Sequence, residues 1–117
     1  MARFLFVYRR GRDVGASISP EAMQQTLERW RAWIGEALRQ GWMLDSGDAL
    51  TQDGRVVRPA NVVTDGPFVE SKEIVGGYSV IQADSLAAAA ELAHGCPGLL
   101  SGGSVEVRPL AGFSIGK

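Results

Sequence analysis

The chain opens on an alternation with a period of two. In RFLFVYRR, Phe4, Phe6 and Tyr8 fall on one side and Leu5 and Val7 on the other, which predicts a strand over Arg3–Arg9 with both faces partly covered. The period then changes to that of a helix. From Glu21 to Gln40, Met23, Leu27, Trp30, Ile34 and Leu38 recur at steps of four, three, four and four, forming an apolar stripe that should bury one face of an amphipathic helix. Ser19 supplies a capping oxygen, Pro20 suits the first helical position and Gly41 stops the helix. Gly35, inside it, costs about 1 kcal/mol relative to alanine and reads either as a site of close packing or as a tolerated blemish.

WMLDSGDAL, residues 42–50, predicts a second strand, and Asp53-Gly54 is a good hairpin turn. Two short Val-Val segments follow, separated by Pro59, so a hairpin or excursion is expected here. IVGGYSVIQA, from Ile74 to Ala83, predicts a strand carrying a double glycine. Asp84 or Ser85 then caps an alanine-rich helix that runs to about His94, where Gly95 and Pro97 stop it. A last strand covers Ser104–Arg108. The order strand, helix, strand, hairpin, strand, helix, strand predicts a ferredoxin-like α+β domain: a split βαβ sandwich with an antiparallel sheet and both helices on one face.

Composition narrows the function classes. The 117 residues fit a single domain, residues 1–117. With 12 basic and 13 acidic side chains there is no single-sign field to hold nucleic acid or an anionic membrane. The N-terminal apolar patch is too short for a signal peptide or a membrane span. Cys96, the single cysteine, cannot form an internal disulfide, which makes the cytoplasm the default location. An apolar content of 45% leaves enough side chain to cover the helix-free sheet face with a second subunit, so a homodimer is expected.

TDGPFVESKEIVGGY, ADSLAAAAELA and GGSVEVRPL together resemble the DGPF branch of the YCII-related family. The specific parts are Asp65-Gly66-Pro67-Phe68, Glu70, Lys72-Glu73, Gly76-Gly77 and Glu106-Val107-Arg108-Pro109, and the likeness spans nearly the whole chain. It implies a ferredoxin-like subunit that dimerises in the manner of the dimeric α+β barrels, with a pocket between sheet and loops. It also implies a genomic setting beside extracytoplasmic-function sigma factors. The YCII branch resembles an enzyme with a His and Asp pair, the His near the start of helix one. Residues 17–28 hold no histidine here, and Cys96-Pro97-Gly98 stands where that branch has Asp-Pro-Phe, so that chemistry does not carry over.

Several side chains are candidates for a site. Asp65, in the Asp-Gly-Pro sequence, reads both as a turn residue accepting local amides and as a carboxylate at a pocket mouth serving as acid or base. Glu70 and Lys72 alternate onto one side of an extended chain, as a solvated ion-pair cluster or as pocket groups, with Lys72 binding an anionic substrate. Tyr8, Tyr78 and Arg108 fall on strands whose face can line a cavity, and Asp48 can join Asp65 near the end of the second strand. Gly76-Gly77 is expected to mark a bulge or a close contact, since no phosphate-loop pattern surrounds it. His94 is expected to cap a helix end and Cys96 to be a small loop residue. Neither provides the ligand count of a metal centre, and no cofactor is expected. Trp30, Trp33 and Trp42 should fill the helix-to-sheet core.

Two functional readings result, beside a third of a scaffold that retains the dimer fold and has no chemistry. One is a small-molecule site for a polar or anionic ligand near Asp65, Lys72 and Tyr78, with a proton-transfer or lyase-type step and Arg108 as a charge complement. The other, drawn from the sigma-factor setting, is a non-catalytic accessory protein that acts through protein contacts.

Overall fold

The computed structural model describes residues 1–11, 18–66 and 73–113. Its elements run β1 (Ala2–Gly11), α1 (Pro20–Gln40), β2 (Met43–Ala49), β3 (Gly54–Arg58), β4 (Val62–Gly66), β5 (Glu73–Ala83), α2 (Leu86–Ala93) and β6 (Ser104–Pro109). Four strands form an antiparallel sheet in the order β2-β5-β1-β6, and β3 pairs with β4 in a separate two-stranded ribbon. This is the ferredoxin-like α+β arrangement, with the ribbon inserted after β2.

Strand parity sorts the sheet's two faces. Phe4 lies opposite Ile81, Phe6 opposite Ser79 and Tyr8 opposite Gly77, and this face carries the core together with Met43, Ala37 of α1, and Ala89 and Ala93 of α2. Both helices therefore pack on one side. The opposite parity places Leu5 beside Val80 and Arg108, and Val7 beside Tyr78 and Glu106, on the face that receives neither helix.

The helix ends obey local chemistry. Ser19 accepts the Ala22 amide at 3.1 Å, Pro20 occupies the first turn, and Gly41 closes α1 at φ 86°. Ser85, not Asp84, caps α2 by accepting the Ala88 amide at 3.0 Å. His94 is the C-cap of α2, its ring 3.7 Å from Glu91.

Four expectations change. The chain reverses at Pro59–Asn61 rather than at Asp53-Gly54, because Ala60 and Asn61 take the positive φ that joins Arg58 to its partner Val62, while Gly54 already pairs with Gly66. Asp65 and Gly66 are paired strand residues of β4, and Pro67, the third residue of the expected turn, lies outside the described residues; Gly66 serves close strand approach, since a methyl there would meet Val56 at 3.0 Å. Gly35 faces open space, with nothing within 4 Å of an added methyl, so it serves no close packing. The α1 stripe is only partly buried: Met23, Leu27 and Leu38 keep 40%, 42% and 45% of their surface exposed, and Ala37 is the buried residue of the helix.

Gly35→Ala should therefore stabilise the fold by about 0.5–1 kcal/mol, read as a rise of a few degrees in melting temperature. Phe6→Ala, which empties a fully buried position, should cost about 3–5 kcal/mol in a urea titration.

Candidate functional site

The upper half of α1 stands away from the sheet, and a cavity of about 540 Å³ opens between them. Ile18, Met23, Leu27, Trp30 and Ile34 wall it from the helix side. Tyr8 and the backbone at Gly76-Gly77 lie on the sheet side, Cys96 comes from the segment after α2, and Asp48, Arg9 and Arg10 supply the charged groups of the lining. The combination of an apolar wall and a few polar groups is that of a small-molecule site.

An aromatic framework keeps the two walls apart. Phe6, Tyr8, Trp33 and Trp42 form a closed ring of neighbours: Phe6–Tyr8 at 6.4 Å, Tyr8–Trp33 at 6.2 Å, Trp33–Trp42 at 5.8 Å and Trp42–Phe6 at 6.3 Å between centroids. Trp30 stands edge-on to Tyr8 at 4.9 Å and faces the cavity. Trp33 and Trp42 thus fill the core as expected, whereas Trp30 is a cavity wall.

Tyr8 is anchored from below. Its hydroxyl donates to Ser79 Oγ at 2.8 Å, and Ser79, fully buried, donates to the Ser46 carbonyl at 2.7 Å. Desolvation raises the Tyr8 phenol above its ordinary range, against the lowering effect of the Ser79 hydrogen bond, so it stays protonated at neutral pH. Burial likewise pushes the Cys96 thiol up to about 11, leaving a neutral, weakly nucleophilic sulfur.

The strands make room for this floor with glycine. Tyr8 pairs with Gly77 while Arg9 pairs with Val75, so Gly76 is the extra residue of a bulge. A methyl on Gly77 would lie 2.8 Å from the Asp48 carbonyl, and one on Gly47, at φ 66°, would lie 1.9 Å from the Tyr78 carbonyl. The double glycine therefore serves both a bulge and the tight crossing of β2.

The sequence candidates divide into three groups. Tyr8, Asp48 and Tyr78 all line the cavity, Tyr8 from the helix face and the paired Asp48 and Tyr78 from the opposite parity; Asp48 is the carboxylate of the described lining, one oxygen accepting the Ala49 amide at 2.8 Å. Asp65 and Arg108 do not join them. Asp65 sits on the β3–β4 ribbon with an exposed carboxylate 3.5 Å from Arg55, outside the described lining. Arg108 lies on the helix-free face and donates to Glu106 at 3.1 Å, beside an Arg9–Glu106 pair of 2.9 Å. Those two guanidinium groups, Arg9 first, hold the Glu106 carboxyl below its usual range. Glu70 and Lys72 lie outside the described residues. Strand parity explains the split: Tyr8 belongs to the helix face, Arg108 to the other.

Sequence reasoning missed Ser79, Ser46, Met23, Leu27 and Cys96 as site residues. A signal for the first was present: Gly77 and Ser79 are small residues on the inward parity of β5, opposite the large Tyr8 and Phe6. Among the described residues no cluster of three metal-ligating side chains occurs, and no helix is long and apolar enough to cross a membrane.

Cys96 should react slowly with iodoacetamide at pH 8 in the folded protein and rapidly in denaturant, as followed by intact mass; equal rates would contradict the buried, neutral thiol.

The family model of the YCII-related domain matches residues 4–114, and the chain belongs to that family. A comparison with curated proteins finds no match.

Proposed function

We propose that this YCII-related chain binds a small molecule with a flat apolar body and a polar or anionic end, in the cavity between α1 and the sheet, and does so as a homodimer. The observation that carries the reading is the unfilled apolar stripe of α1: Met23 and Leu27 point their exposed surface at a cavity of about 540 Å³ instead of a packed core. A bound apolar body removes this surface from water at roughly 25 cal/mol per Å². Trp30, already edge-on to Tyr8, offers the same ring to a ligand.

The polar end is read from the charged groups of the lining. Arg10 gives that part of the cavity positive charge and Asp48 lines its edge, while the Arg9 guanidinium is paired with Glu106 on the helix-free face. Proton transfer in this cleft falls to Asp48 rather than to Asp65, because Tyr8 and Cys96 hold their protons and Asp65 lies on the ribbon. The homodimer reading rests on Leu5, Val7 and Val80, a row of apolar side chains on the sheet face that receives neither helix. A buried free thiol suits the reducing cytoplasm.

The test uses 8-anilino-1-naphthalenesulfonate, an apolar aromatic body with an anionic end. It should bind with quenching of tryptophan fluorescence, and Leu27→Lys, at a half-exposed position that spares the fold, should weaken it at least tenfold. Unchanged affinity in Leu27→Lys would remove the cavity as the site. Asp65→Asn should cost less than about 1 kcal/mol of stability, the range of an exposed ion pair.

A further inference from the structure

The hydrogen-bond chain under the cavity has a direction, and its far end fixes it. A backbone carbonyl has lone pairs and no proton, so the 2.7 Å contact between Ser79 Oγ and the Ser46 carbonyl takes the single hydroxyl proton of Ser79. Ser79 then has only lone pairs left. Tyr8, 2.8 Å away, is therefore the donor of the other bond, and its one proton is committed to Ser79 Oγ. The reverse direction would leave two oxygens 2.7 Å apart with no proton between them, at a serine that is fully buried and cannot draw on solvent.

Tyr8 thus meets the cavity as an acceptor. Tyr8 and Ser46 both line the cavity while Ser79 lies beneath them, so the chain of hydrogen bonds begins and ends at the wall. Burial keeps the phenol protonated at neutral pH, so its remaining lone pair belongs to a neutral oxygen and not to a phenolate. Giving its proton to Ser79 polarises the group and makes that oxygen a better acceptor. The nearby lining does not occupy it: Trp30 offers a ring edge-on, and Cys96 carries only a weakly donating thiol. Among the described residues no donor reaches the phenol oxygen.

We infer that Tyr8 selects the ligand: the apolar body held in the cavity carries a hydrogen-bond donor, a hydroxyl or amine of the kind found on phenols and aryl amines, which gives its proton to the Tyr8 oxygen. This rests on the small-molecule reading above and adds to it the chemical class of the ligand. A ligand with an ether or a carbonyl at that point sets lone pair against lone pair, because Tyr8 has no proton to turn towards it, and polar groups left unpaired in a site are the costly case. A tyrosine whose proton was free would accept either class. The discrimination therefore comes from Tyr8 together with Ser79, which acts as a positioning residue by holding the proton.

The probes are 2-naphthol and its methyl ether, 2-methoxynaphthalene, which share the flat body and differ in the donor. Each displaces 8-anilino-1-naphthalenesulfonate from the full chain, and the ratio of the two displacement constants is read in the wild-type protein, Tyr8→Phe and Ser79→Ala. The wild-type protein should prefer 2-naphthol by about tenfold. Tyr8→Phe, which keeps the ring and removes the acceptor, should lower that preference by about fivefold. Ser79→Ala releases the Tyr8 proton and should lower it too, by raising the affinity for the ether, whereas loosened packing alone would weaken both compounds. If circular dichroism shows that Ser79→Ala does not fold, Tyr8→Phe decides alone. A preference equal in all three proteins, or one lost in Tyr8→Phe but kept in folded Ser79→Ala, would overturn the donor selection and leave the cavity reading standing. Displacement by neither compound would remove the apolar body from the cavity reading, and this inference with it.

Discussion

The edge-to-face packing that runs from Phe6 through Tyr8 to Trp30 and Trp33 sets the separation between α1 and the sheet, and the rest of the molecule depends on that separation. Rings that meet edge to face hold their centroids farther apart than interdigitated aliphatic side chains do. With Trp33 and Trp42 completing a ring around Phe6 and Tyr8, the lower part of α1 is fixed at Ala37 against the core. The upper part then lies over Tyr8 at the height of an indole. Met23 and Leu27 cannot reach the sheet from there, and the cavity is the space left.

The floor under Tyr8 complements this wedge. A phenol driven into an apolar interior requires a partner for its proton, and Ser79 supplies it while passing its own proton to the Ser46 carbonyl. Ser79 fits there only because β5 is small wherever β1 is large. Gly77 opposite Tyr8 and Ser79 opposite Phe6 keep the strands in register without overfilling the layer, and the Gly76 bulge then shifts Arg9 and Arg10 relative to their partners. A single device, a row of small residues on one strand, thus accommodates the aromatics and forms the charged edge of the cavity.

Much of this was legible in the sequence. The period-two pattern of Phe4, Phe6 and Tyr8 and the caps at Ser19 and Gly41 identified β1 and α1, and the element order identified the fold. Trp33 and Trp42 were legible as core. The half-filled stripe of α1 was not, because periodicity reports which face a helix turns inward and not how far away the opposing surface lies. Asp65 misled for a related reason. Asp-Gly-Pro is turn chemistry at the level of local preference, but pairing with Arg55 across the ribbon prevails over it for Asp65 and Gly66. Which strand face a residue occupies was readable within each strand, yet the relative parity of Tyr8 and Arg108 depends on the pairing of β1 with β6, a non-local register that no spacing encodes.

The ion-pair row on the helix-free face bears on what that face can do. Arg9, Glu106 and Arg108 are already paired among themselves, so covering them does not strand an isolated charge, which is the expensive case. The face can lose its water around Leu5, Val7 and Val80 while the paired charges stay at the rim, where partial solvation keeps their cost low. The same logic holds on the ribbon, where Arg55 and Asp65 neutralise each other beside Val57 and Val63. On the ribbon the two charges cancel, while on the sheet face two arginines share the single carboxylate of Glu106. A charged ligand, by contrast, finds Arg10 in the lining of the cavity, on the helix side of β1. Strand parity thus keeps Glu106 and Arg108 with the association face and Arg10 with the cavity.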